Sequence, residues 1–370
     1  EGLISRKHFS PIITRRMIGY LLCARAGLSD DELIGVLSAD RDVLQEFLRG
    51  SFHLSPGMEE GIRAYLAGVG IARKPVEWLQ NTADLGGLID ALYAASEPIM
   101  LPYAYFSRIQ YELQPYLKET LSEGTRVYSF ADKRAKDAAE QFAADEDFQL
   151  LHARLGAYFA ADPKTLALAY FGAGLAGLLK NDTMRKYLRS RVAYELPYQL
   201  IQAREYDKLE IFLGDETNMS FLLDWNMAEL CSLWATLENE TTHTIPKTYR
   251  AILDKARKAI EEGRQYSDNE GRTLSALMGA RGGYADELQL LSRARIGGPP
   301  AETGEPKANT AGASEAEYMI AQSYLDKGEF EKALDITTKA LEKYNHTVSI
   351  GCHDMIYAHA QALYRLEHYE

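Results

Sequence analysis

Cysteine is scarce: the chain holds three, Cys23, Cys231 and Cys352, far apart and never as C-x-x-C. That spacing excludes a disulfide framework and the usual structural zinc cluster, and it makes a reducing, cytoplasmic compartment the expected one. Long apolar runs are lacking too. None approaches the roughly 18 residues that a membrane span needs, and no leader pattern for secretion opens the chain. Positive charge is in short supply: 41 Lys and Arg against 53 Asp and Glu leave a formal net charge of −12, which argues against a nucleic-acid footprint over the whole chain. The phosphate-binding loop G-x-x-x-x-G-K-[ST] occurs nowhere, so this stretch is not expected to hold a nucleotide in that manner. No nucleophile–base pair or metal-ligand spacing stands out. The segment is expected to be non-enzymatic, with no catalytic residue, cofactor or metal.

What the chain has in quantity is amphipathic helix, and its 370 residues are enough for two or three domains. Ile12, Ile13, Met17, Ile18, Leu21 and Leu22 recur at helical spacing before Gly27. Ser29-Asp30-Asp31-Glu32 reads as a capping box that starts a helix over 30–37. Residues 51–74 show no clear period, and 78–95 reads as helix. Pro102 opens a helix expected over 103–118, with Tyr105, Ile109, Leu113 and Tyr116 along one side. The turn Ser122-Glu123-Gly124-Thr125, followed by the alternating Arg126-Val127-Tyr128-Ser129-Phe130, is the best hairpin signal in the chain, and helix resumes over 133–142.

Helix pair, helix, hairpin, helix is the element order of a winged-helix-like unit, assigned to 1–146. A helical linker domain is expected over 147–263, broken at Asp162-Pro163, Asn181-Asp182, Gly214-Asp215 and Ile245-Pro246. The fold class expected is therefore mainly α, with one small hairpin and a repeat array after it.

That array is assigned to 264–370. Tyr318, Ala321, Gln322 and Phe330 are answered about 39 residues later by Tyr357, Ala360, Gln361 and Tyr369, the mark of stacked helix–turn–helix repeats. Leu274–Ile296 reads as a degenerate earlier copy, and 297–313, rich in Gly, Pro, Thr and Ala, as a linker between copies. The chain stops after the first helix of its last repeat, and an excerpt from a longer protein is expected.

Two segments together resemble a known family. Leu21–Leu37 (LLCARAGLSDDELIGVL) and residues 101–159 (LPYAYFSRIQYELQPYLKETLSEGTRVYSFADKRAKDAAEQF through ARLGAYF) resemble the winged-helix and following helical region of STAND-class signalling NTPases of the NACHT or NB-ARC kind. Arg191–Leu200 with Leu209–Leu213 resembles the helical segment such proteins place before their repeats. Ala321, Tyr324, Gly328, Phe330, Ala333 and Ala340 fall in the pattern of tetratricopeptide (TPR) repeats. The resemblance implies a partner-sensing segment that relays to an NTPase domain upstream. It also implies that the first helix of each repeat lines a groove, so that Tyr318, Gln322 and Asp326, with Tyr357, Gln361 and Arg365, would bind a protein or peptide; packing of the tyrosines between repeats is the other reading of the same positions. Where relatives commonly carry a histidine after the last winged-helix strand, this chain has Phe130-Ala131-Asp132; an acidic group there would repel a phosphate.

Other signals have plainer readings. Gly172-Ala173-Gly174-Leu175-Ala176-Gly177 matches G-x-G-x-x-G but lacks the strand before it that a dinucleotide site needs, so it reads as a seam between helices. His346, His353, His359 and His368 read as solvated or inter-repeat histidines rather than a metal site. The acidic clusters 30–32 and 145–147 read as helix starts. Arg15, Arg16, Lys133, Arg134 and Lys136 read as a solvated face or a contact to the NTPase domain. The alternative use of those cations, phosphate contacts by a winged helix in a repeat-containing transcription regulator, predicts salt-sensitive DNA binding. A passive repeat scaffold is the other alternative.

Overall fold

The computed structural model describes residues 11–50, 56–71, 78–79, 85–94, 100–161, 182–266, 268–296, 310–344 and 350–366. It is mainly helical, with one two-stranded antiparallel sheet. Its contacts divide the chain into two units, Glu1–Glu205 and Tyr206–Glu370, a division that falls inside the stretch 147–263. Residues 172–177, 346 and 368 and the linker portion 297–309 lie outside the described residues.

In the first unit, α1 (Pro11–Cys23) buries Ile13, Met17, Tyr20 and Leu21. The chain then turns through Gly27 at φ 107°, where a Cβ would lie 2.3 Å from the carbonyl oxygen of Tyr128. Only glycine permits that approach. It lets Leu28 and Tyr128 exchange backbone hydrogen bonds in both directions, Leu28 N to Tyr128 O at 3.1 Å and Tyr128 N to Leu28 O at 2.8 Å. Next comes α2 (Asp30–Ala39), started by the expected capping box: Glu32 N donates to Ser29 Oγ at 3.2 Å, and Ser29 N to Glu32 Oε2 at 2.8 Å.

Helices α3 (Arg41–Gly50), α4 (Pro56–Gly68) and α5 (Gly86–Ala94) separate α2 from α6 (Tyr103–Leu113). Thus α4 occupies part of the stretch for which no period was legible. Helix α6 ends at Leu113 rather than reaching residue 118. Gln114-Pro115-Tyr116 forms a 3-10 turn, because Pro115 has no N–H to continue the ladder. Ile109 and Leu113 are buried, whereas Tyr116, the last residue of that turn, is exposed.

Strands β1 (Leu117–Ser122) and β2 (Thr125–Phe130) pair antiparallel with Ser122 opposite Thr125. Glu123 and Gly124 both take positive φ, 49° and 78°, the two-residue turn whose twist matches that of the strands. The next helices are α7 (Lys133–Phe142), α8 (Phe148–Phe159) and α9 (Asp182–Gln202). α8 packs along α9 and against α1 and α2.

In the second unit, α10 (Tyr206–Gly214) leads into α11 (Glu216–Glu240), which is bent at the extended residue Asn226 (φ −160°, ψ 87°). The Asn226 side chain caps the helical part beyond the bend, accepting from Glu229 N at 3.1 Å. The remaining helices are α12 (Ile245–Thr248), α13 (Arg250–Glu261), α14 (Asn269–Arg281), α15 (Ala285–Ile296), α16 (Thr310–Asp326), α17 (Phe330–Tyr344) and α18 (Ile350–Arg365). Helix α16 begins inside the stretch read as linker.

Packing runs from each helix to the next and to the one after that or further: α11 on α14, α13 on α15, α15 on α16, and α16, α17 and α18 on one another. Gly282 and Gly328, at φ 75° and 77°, follow α14 and α16, a positive φ that glycine adopts at least strain; beyond Gly328, Glu329 N donates back to Tyr324 O at 2.9 Å, closing α16. Among the described residues no helix is long and apolar enough to cross a membrane.

Candidate functional site

Helices α16 and α18 lie side by side and α17 packs against both. Gln322 and Asp326, one turn apart on α16, share a stripe, with Gln322 Nε2 donating to Asp326 Oδ1 at 3.1 Å. These two line a cavity of about 450 Å³ together with Tyr357, Gln361 and Arg365 of α18. Five of the six residues expected in the groove therefore surround one cavity. The sixth, Tyr318, is not in its lining but lies close by: burial, then the carboxylates of Asp354 and Asp326, push its phenol pKa up.

Leu325, Phe330 and Tyr364 complete the wall, and sequence reasoning did not place them there. Tyr364 was within reach, since it follows Tyr357 by seven residues, two helical turns along the same face. Tyr357 and Tyr364 are 62% and 64% exposed, large aromatic areas left open to solvent. Asp326 and Arg365 face the same cavity with no ion pair between them among the described residues. Flat rings, two amides and one charge of each sign can hold an extended peptide by stacking and orienting hydrogen bonds.

Of the four histidines, His359 is placed between helices. Its Nδ1 lies 2.9 Å from Thr337 Oγ1, a hydroxyl also within hydrogen-bond reach of the Ala333 and Leu334 carbonyls. Burial lowers its pKa. Among the described residues no three His, Cys, Asp or Glu side chains gather as metal ligands, and Cys23 and Cys231 are free.

The first unit contains a buried polar cluster that the sequence did not reveal. Arg191, Glu195 and Gln199 follow at four-residue steps on α9, and all three are buried. Arg191 grips the capping-box carboxylate of Glu32 with two bonds, Nε to Oε1 at 2.7 Å and Nη2 to Oε2 at 3.0 Å. It also donates to Glu195 Oε1 at 3.1 Å, Ser122 Oγ at 3.3 Å and Gly27 O at 2.6 Å. Glu195 accepts from the backbone N–H groups of Arg25 and Ala26. Gln199 Nε2 donates to Glu195 and to Cys23 O, which leaves its Oε1 to accept from His152 Nδ1 at 2.7 Å. One helix face thus ties the α1–α2 turn, the end of β1 and α8 together.

A second cluster corrects the reading of Arg16 as a solvated cation. Its side chain is 13% exposed and reaches Asp40, Asp42 and Glu146. Asp40, fully buried, also accepts from Tyr20 Oη at 2.7 Å and Arg154 Nη1 at 2.6 Å. Within the acidic clusters, Asp147 does cap α8, accepting from Leu150 N at 3.1 Å; Glu32 both closes the capping box of α2 and pairs with Arg191, whereas Glu146 is an arginine partner.

No family model matches the chain, and no curated protein or solved structure matches it. Geometry alone therefore carries the functional reading. After the hairpin, Lys133, Arg134 and Lys136 are exposed, and Lys136 stands 3.9 Å from Glu140. Asp132, just after β2, caps α7 by accepting from Ala135 N at 2.8 Å. Its carboxylate already has a structural use, and negative charge suits a helix start.

Proposed function

We propose that the chain is a non-catalytic, partner-sensing portion of a STAND-like signalling protein, whose TPR-like repeats bind a protein or peptide and relay occupancy to an NTPase domain of the longer protein. The observation that carries this reading is the groove between α16 and α18, with its open tyrosines and paired amides. The element order of the first unit supports the other half. Helix, Leu28 bridged to β2, helix, then α6 and a hairpin follows the winged-helix order, with α3–α5 inserted before α6. Relay requires a ligand that prefers one of two arrangements of the protein, since a ligand with equal affinity for both shifts nothing.

The test is selection of peptides from a displayed library on the immobilised chain, followed by calorimetric titration of those selected. Tyr357→Ala with Gln361→Ala should weaken binding at least about tenfold, the size of effect expected for an aromatic anchor, while circular dichroism stays unchanged because neither side chain is buried. Equal affinity in the double variant would remove the groove assignment.

A further inference from the structure

The second unit has another cavity, of about 430 Å³, that shares no lining residue with the groove. It exists because α14 turns small side chains toward it: Gly271, Ser275, Ala276 and Gly279 leave space that larger residues would fill. The bend of α11 at Asn226 brings Met227, the next residue, into one wall. Met319 of α16 enters from another side, where a Cβ on Gly279 would lie 2.4 Å from its Sδ. The volume falls in the range of small-molecule sites, roughly 300–1,000 Å³.

Cations outnumber acids in that lining, while Glu270 and Glu216 act on its Tyr266 from outside it. Arg272 on α14 and Arg295 near the end of α15 both line the cavity and are exposed, and no ion pair of either is present among the described residues. The single carboxylate of the wall, Asp268, is turned to cap α14, accepting from Gly271 N at 2.9 Å. Two cations against one acid leave a net positive rim on a chain whose formal charge is −12. Thioether sulfurs favour the edges of aromatic rings, and guanidinium groups match carboxylate geometry.

We propose that this cavity binds a small amphipathic monoanion, an aromatic carboxylate whose ring lies against Met227 and Met319 and whose carboxylate meets Arg272 and Arg295. A small inorganic anion would leave the apolar wall unused, and a neutral ring would leave the arginines unused.

The whole chain is titrated with 2-naphthylacetate by calorimetry and saturation-transfer NMR, with 2-naphthylacetamide as the neutral control. One saturable site is expected. Arg272→Gln with Arg295→Gln should weaken it at least about tenfold, given the loss of charge-assisted hydrogen bonds, and the amide should bind correspondingly less well. Ala276→Trp, which fills the cavity, should abolish binding, whereas Tyr357→Ala with Gln361→Ala in the separate groove should leave it unchanged. Absence of saturable binding to the wild-type chain overturns the proposal. So does equal binding by the arginine variant or by the amide, or loss of binding in the groove variant.

Discussion

Arg191 is the residue on which the first unit most depends. Glu32 and Glu195 are 0% exposed, and both carboxylates take part of their compensation from its guanidinium. Removing one member of a buried ion cluster leaves the others uncompensated, at about 3–5 kcal/mol. Arg191→Met should therefore lower the unfolding free energy of the first unit, read from urea denaturation, by an amount in that range. Adding Glu32→Gln should recover part of the loss, a coupling that a double-mutant cycle reads directly. Asp31 sits nearby with the opposite character. Burial, then the charges of Asp30 and Glu32, push its carboxyl up to about 6. A raised carboxyl holds its proton more tightly in the folded chain, so the stability it contributes is present at low pH and lost as pH rises through about 6. Asp31→Asn should thus stabilise the chain at pH 7, by up to about 1 kcal/mol after allowing for solvent screening, and this gain should vanish well below the unfolded value of 3.8. Thermal melts of both proteins across that range would show it.

At the scale of elements, Gly27 decides whether the α1–α2 turn can reach the hairpin. Gly27→Ala places a methyl group on the Tyr128 carbonyl in a backbone region that alanine rarely adopts. A loss of about 2 kcal/mol or more is expected, together with loss of hydrogen-exchange protection at the Leu28 and Tyr128 amides. Elements whose cause is local were legible in the sequence: the capping box at Ser29, the hairpin turn at Glu123-Gly124, and α7 to the residue. Elements ended by a less usual device were not. Helix α9 stops in a motif where Glu205 N donates to Leu200 O at 2.8 Å, and its left-handed residue is Arg204 (φ 59°), not glycine. Without a glycine or proline to mark it, that break between 202 and 206 has no sequence signal. That Gln322 and Asp326 share a stripe, and Tyr357, Gln361 and Arg365 another, was legible for a similar reason, since it follows from helical spacing. Phe330 and the Arg191 cluster depend on which helices meet, and spacing along one helix cannot state that.

At the scale of the molecule, the division at Glu205 has a measurable counterpart. Trp225 and Trp234 belong to the second unit and Trp78 to the first. Trp234 is fully buried, 5.8 Å from the Tyr249 ring centroid. Fluorescence excited at tryptophan should report chiefly the second unit, so Arg191→Met should shift the unfolding seen by circular dichroism more than the unfolding seen by fluorescence. Coincident shifts would mean that the two units unfold as one. The Arg191–Glu32 pair also sets an order of events during synthesis. Its partners are 159 residues apart in sequence, so at roughly 5–20 residues per second the ribosome adds the arginine about 8–30 s after the glutamate. Until then the capping-box carboxylate lacks the Arg191 guanidinium, and burying it without that partner is costly. Closure of the amino-terminal helices over it is expected to wait for that residue, and a chaperone that holds nascent chains would have that interval in which to act.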